Sequence, residues 1–69
     1  MPLTVVESTT LAGAAYDNSE VLRLEFRSGA IYCYFSVPSQ IWQQLMTAES
    51  KGVYFNRNIR RRFPFQRLA

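Results

Sequence analysis

The residues best suited to chemistry lie together near the C-terminus. Between residues 51 and 62 the chain reads Lys-Gly-Val-Tyr-Phe-Asn-Arg-Asn-Ile-Arg-Arg-Arg, so cations, aromatics and amides interleave. An arginine presents a planar fork that matches phosphate oxygens. A tyrosine can stack on a nucleobase, and an asparagine can hydrogen-bond a base edge. Lys51, Arg57, Arg60 and Arg61 are therefore the candidate phosphate ligands, Tyr54 the stacking platform and Asn56 the base-edge group. Each has a plainer role open to it: the cations as a solvated face that keeps the chain soluble, and Asn56 as a bond to the backbone near Gly52. Phe55 and Ile59 belong with the core.

Charge is divided along the same line. Residues 1–50 carry Arg23 and Arg27 against Glu7, Asp17, Glu20, Glu25 and Glu49, a net −3, whereas residues 51–69 carry Lys51 and five arginines with no acid, a net +6. A basic end on a slightly acidic body is the electrostatic footprint expected for a polyanion.

The chemistry of catalysis is thin by comparison. There is no histidine, and Cys33 is the one cysteine, which excludes ordinary zinc sites and leaves a thiol nucleophile without its usual base. Cys33 reads instead as a small buried hydrophobe. Asp17 and Glu20 flank a turn, where a carboxylate pair is solvated rather than poised. Gly13, Gly29 and Gly52 stand alone and build no phosphate-cradling loop. The expectation is a non-catalytic chain with no metal and no cofactor. A lone cysteine points to a reducing cytoplasm, no apolar run reaches the ~18 residues of a membrane helix, and Met1-Pro2-Leu3-Thr4 has no basic start of a signal peptide.

Those candidate groups need a scaffold, and 69 residues with 48% hydrophobic content allow one small domain, residues 1–69. Leu22, Leu24 and Phe26 alternate with Arg23, Glu25 and Arg27, and Ile31, Cys33 and Phe35 alternate with Tyr32, Tyr34 and Ser36. Both runs have the period of half-buried strands. A two-residue Ser28-Gly29 loop would pair Phe26 with Ile31, Leu24 with Cys33 and Leu22 with Phe35 on one apolar face. Arg23, Tyr32 and Tyr34 would then share the polar face as a secondary binding surface. Residues 11–17 supply a third strand whose Ala-Gly-Ala-Ala run makes a thin edge, and residues 3–8 a short extended piece. Pro38 opens a helix carrying Ile41, Trp42, Leu45, Met46 and Ala48 on one stripe, with Gly52 as its left-handed cap. A second short helix fits Val53–Arg62, limited by Pro64, and the tail with Phe65 and Leu68 is expected to dock. The predicted core is Leu22, Leu24, Phe26, Ile31, Phe35, Ile41, Trp42, Leu45, Phe55 and Ile59. The fold class is α+β: a small antiparallel three- to four-stranded meander packed against one longer and one short helix.

The string Leu22-Arg-Leu-Glu-Phe26-Arg-Ser-Gly29-Ala-Ile-Tyr32-Cys-Tyr34-Phe-Ser-Val37-Pro38 resembles the hairpin of the KTSC domain. So does the continuation Ala48-Glu-Ser50-Lys-Gly52-Val-Tyr54-Phe55-Asn56-Arg-Asn-Ile59-Arg60, ending in Phe63-Pro64-Phe65. That family is named for a C-terminal extension of some lysyl-tRNA synthetases and also occurs alone in small bacterial and phage proteins. The resemblance implies a cytoplasmic, nucleic-acid-associated module and supplies no settled binding residues; the Ala-Gly-Ala-Ala run departs from it.

Three functions remain open at this point: binding of RNA or another single strand through the basic C-terminal helix and tail, a phage-type homo-oligomer that sequesters a phosphorylated nucleotide signal, and a protein-interaction module anchored by Trp42 or the tail. Self-association through the residue 12–15 edge or the Phe63–Leu68 tail, most simply as a homodimer, is a further expectation.

Overall fold

The computed structural model describes Thr4–Val5 and residues 11–69. The rest of the N-terminal extended piece, Glu7 and the first residues read for a signal peptide lie outside the described residues. Five strands, β1 (Thr4–Val5), β2 (Leu11–Tyr16), β3 (Leu22–Phe26), β4 (Ile31–Tyr34) and β5 (Phe65–Arg67), form one antiparallel sheet in chain order. Helices α1 (Ser39–Thr47) and α2 (Lys51–Asn58) lie between β4 and β5. The α+β class and the antiparallel meander are as expected, and the docked tail adds the fifth strand.

The hairpin of β3 and β4 departs from the expected register by one residue. Its loop has three residues, Arg27 to Gly29: the Phe26 N–H donates to the Ala30 carbonyl (2.8 Å) and the Gly29 N–H to the Phe26 carbonyl (2.9 Å). Gly29 adopts φ 96°, the left-handed residue that closes such a loop. Leu24 consequently pairs with Tyr32 and Leu22 with Tyr34. Because side chains alternate faces, that one residue sends both tyrosines to the leucine face and Ile31, Cys33 and Phe35 to the other. Tyr34 is buried, Cys33 half-buried and Phe35 exposed. Arg23 pairs with Cys33 and so stands on the opposite face from Tyr32 and Tyr34. The expected Arg23–Tyr32–Tyr34 surface and the core places of Ile31, Cys33 and Phe35 are thereby corrected.

Strand β2 is an inner strand rather than an edge, pairing Ala14 with Thr4 on one side and with Leu24 on the other. Pairing on both sides overrides the poor strand propensity of the Ala-Gly-Ala-Ala run, and Ala14 and Ala15 are buried. Gly13 and Ala14 are paired on both sides, so the stretch is not the open edge that was expected.

Helix α1 covers the leucine face through Leu45, which is fully buried, with Ile41 and Trp42 half-buried. Trp42 stacks on Tyr16 at 5.6 Å and an interplanar angle of 10°, while the Tyr16 hydroxyl donates to the Val37 carbonyl (2.6 Å). These contacts tie the start of α1 to the sheet. The Ser50 side chain accepts from the Val53 N–H (3.3 Å) and so caps α2. The helix therefore starts two residues before Val53, and Gly52 sits buried in its first turn instead of capping α1. Phe55 and Ile59 bury against the sheet as expected. Helix α2 ends at Asn58, and turns carry the chain to Phe63.

Candidate nucleic-acid interface

The one-residue register and the docking of β5 together build a groove. Tyr32 and Tyr34 lie side by side on β4, ring centroids 6.2 Å apart and nearly parallel. On the neighbouring strand Phe65 sits against both, at 5.6 and 5.5 Å. From α2, Phe55 meets Tyr34 edge-on at 5.7 Å and Phe26 at 5.3 Å. Phe26 in turn meets Tyr32 at 5.5 Å. Aromatic pairs at such separations favour one another beyond area burial alone. These five rings line a groove of about 680 Å³ together with Ser28 of the hairpin loop and Ala30 just after it.

Its remaining lining is Asn56, Arg60, Arg61 and Arg67, and among the described residues it includes no carboxylate, thiol or imidazole. Helix α2 runs out just before Arg60 and Arg61: the Ile59 and Arg60 N–H groups both donate to the Phe55 carbonyl at 3.0 Å. Cations at this helix end also suit its partial negative charge. The Arg67 guanidinium lies 5.7 Å from the Tyr32 ring centroid, and its Nε donates to the Ala69 carbonyl (2.8 Å). Burial pushes the Tyr34 phenol above its ordinary pKa; Tyr32 adds to the rise and the Arg60 cation opposes it. Tyr34 thus keeps its phenol proton more firmly than a free tyrosine, within the field of the Arg60 cation.

Five of the sequence-predicted residues meet here: Asn56, Arg60, Arg61, Tyr32 and Tyr34. The others do not line the groove. The Lys51 Nζ donates to the Ala48 carbonyl (3.2 Å) just beyond the end of α1. The Tyr54 hydroxyl donates to Gln44 Oε1 (2.6 Å), which links α2 to α1, and burial raises its pKa. Arg57 is exposed on α2, and Arg23 lies across the sheet. Phe26, Phe55, Phe65 and Arg67 were missed as site residues. The alternation of Phe65 and Arg67 after Pro64 was the available signal for a strand presenting both on one face.

Asp17 accepts from the Ser19 N–H (2.9 Å) and the Val21 N–H (3.4 Å), closing the turn between β2 and β3. Among the described residues no cluster of metal-ligating side chains occurs, and no helix is long and apolar enough to cross a membrane.

Comparison with known proteins places this architecture among relatives. The KTSC domain family matches residues 7–63. A protein of Tsukamurella paurometabola is 41% identical over 59 residues, covering 84% of this chain and 88% of that protein. A lysine–tRNA ligase of Nostoc punctiforme is 36% identical over 69 residues, covering 99% of this chain. The chain spans only 12% of the length of that ligase. The crystal structure of a KTSC domain protein from Yersinia pestis is similar with a TM-score of 0.95 at 29% identity, covering 99% of this chain and 97% of that one.

Proposed function

This chain belongs to the KTSC domain family, and we propose that it is a non-catalytic binding domain whose groove takes single-stranded nucleic acid, RNA foremost. One observation carries the reading: the partly exposed rings of Phe26, Tyr32 and Phe65, backed by buried Tyr34 and Phe55, share a groove with three arginines. Bases stack on aromatic faces whatever their sequence, and arginines neutralise the backbone that threads past them. Among the described residues the groove has no carboxylate, imidazole or thiol, the usual groups for general acid–base or nucleophilic chemistry. The lysine–tRNA ligases that share the domain act, by their name, on a tRNA, which fits an RNA ligand. The single cysteine suits a reducing, cytoplasmic setting.

A second reading, capture of a small phosphorylated nucleotide, is favoured by the size of the groove, about 680 Å³, which is within the range of small-ligand pockets. Thermal shift separates the two. The protein is melted against a mononucleotide and cyclic-nucleotide panel and against a series of single-stranded oligoribonucleotides of increasing length. The single-strand reading expects stabilisation that grows with length until the groove is spanned. Stabilisation by one mononucleotide, matched by no oligonucleotide, would replace it with the second reading; a flat response to both sets would remove both.

A further inference from the structure

Strand β5 is the last in the sheet, and among the described strands it pairs with β4 alone. The Phe35 N–H donates to the Pro64 carbonyl (2.8 Å) and the Leu68 N–H to the Ile31 carbonyl (2.7 Å), with Gln66 opposite Cys33 between them. Residues 64, 66 and 68 therefore turn their main-chain groups inward. By the alternation of an antiparallel ladder, those of Phe65 and Arg67 point away from the sheet. Neither outward position is a proline, the residue that commonly blocks an edge. Phe65 and Leu68 are 55% and 51% exposed.

We propose that this edge binds a second copy of the chain, with β5 pairing antiparallel to β5 about a two-fold axis at Gln66. The strand is self-complementary in that register. Phe65 falls opposite the partner's Arg67, and the two exchange both main-chain bonds, so the symmetric pair gains four. Each Phe65 ring also lies beside the partner's Arg67 guanidinium, the contact that Arg67 already makes with Tyr32 at 5.7 Å within the chain. The two Gln66 residues meet as the close, non-hydrogen-bonded pair. A three-residue strand buries less than the ~800 Å² per partner of a standard interface, so the dimer is weak and concentration-dependent. Phe65 and Arg67 also line the groove, so the two grooves become neighbours across the axis. That consequence, and a tightening of the dimer by a polyanion that offsets arginine repulsion, rests on the single-strand reading; the pairing itself does not.

Cross-linking without nucleic acid tests the register. Gln66→Cys is placed in a Cys33→Ser background, because Cys33 sits opposite Gln66 and would capture the new thiol. Under mild oxidation it should form a covalent dimer roughly tenfold faster than Gln43→Cys, a control on the exposed part of α1, through the effective concentration that pairing supplies. Adding Arg67→Pro, which removes an outward N–H but no bond to β4, should abolish that advantage while far-UV circular dichroism stays that of the parent. A rate equal to the control overturns the proposal. Sedimentation equilibrium of the unmodified chain gives an independent reading: a mass rising from monomer toward dimer with concentration supports it, and a monomer at every concentration overturns it. A dimer that ignores single strands would sink the binding reading alone, and a monomer that binds them would sink the dimer alone.

Discussion

Tyr34 shows at the level of one side chain how fold and groove share residues. It is buried against Phe55 yet lines the groove, and burial raises its pKa from the ordinary 10.0. A raised folded-state value means that the fold favours the protonated phenol. That stabilisation is fully present below pH 10.0, where the unfolded phenol is also protonated, and is lost as pH climbs through the higher folded value. Thermal melts should therefore drop above pH 10.0, and less steeply for Tyr34→Phe. Tyr16 and Tyr54 are shifted the same way and leave a residual drop. A Tyr34→Phe variant that loses stability as steeply as the parent would contradict this assignment. Phe65 offers the complementary case, since it is more than half exposed. Phe65→Ala should leave the fold intact and weaken single-strand affinity by ~1–3 kcal/mol, the cost of one lost stacking platform. An unchanged dissociation constant, measured by fluorescence anisotropy, would take Phe65 out of the site.

At the level of elements, the decisive feature is the length of one loop. The alternation on β3 and β4 was legible in the sequence, but alternation alone does not say which half of each strand faces inward. Ser28-Gly29 is compatible with loops of two or three residues, and the left-handed Gly29 as third residue settled it. Stability measurements distinguish the registers. Leu24→Ala should cost ~2–5 kcal/mol, whereas Phe35→Ala, at an exposed position, should stay within ~0.5 kcal/mol. Comparable losses at both would restore the two-residue loop. The helix boundaries were misplaced for a similar local reason: Gly52 looked like a stop, but the Ser50 hydroxyl had already started the next helix. Ser50→Ala should cost ~1 kcal/mol in urea unfolding, and no loss would mean that the cap contributes nothing. The stripe of Phe55 and Ile59 was readable because helical spacing survives a shift of either end.

Across the whole molecule, the candidate site was half legible. The cationic and amide half, Asn56, Arg60 and Arg61, stood out by type and clustering. Of the aromatic half, Tyr32 and Tyr34 were named from the strand alternation, whereas Phe26, Phe55 and Phe65 were not, because the place of Phe65 depends on β5 pairing with β4 across a long stretch of chain. The charge division is spatial as well as sequential: Arg60, Arg61 and Arg67 meet at one groove, while Arg23 faces away. Whether a single strand binds in this groove is decided by titrating a labelled oligoribonucleotide at several salt concentrations, in parallel for the parent, Arg60→Ala and Arg23→Ala. Three phosphate contacts give a log–log slope of about −2 for a single strand, and losing one brings it to about −1.4. The steeper value is expected for the parent and Arg23→Ala and the shallower one, with weaker binding, for Arg60→Ala. No binding at low salt, or an Arg23→Ala effect as large as that of Arg60→Ala, would contradict binding in this groove.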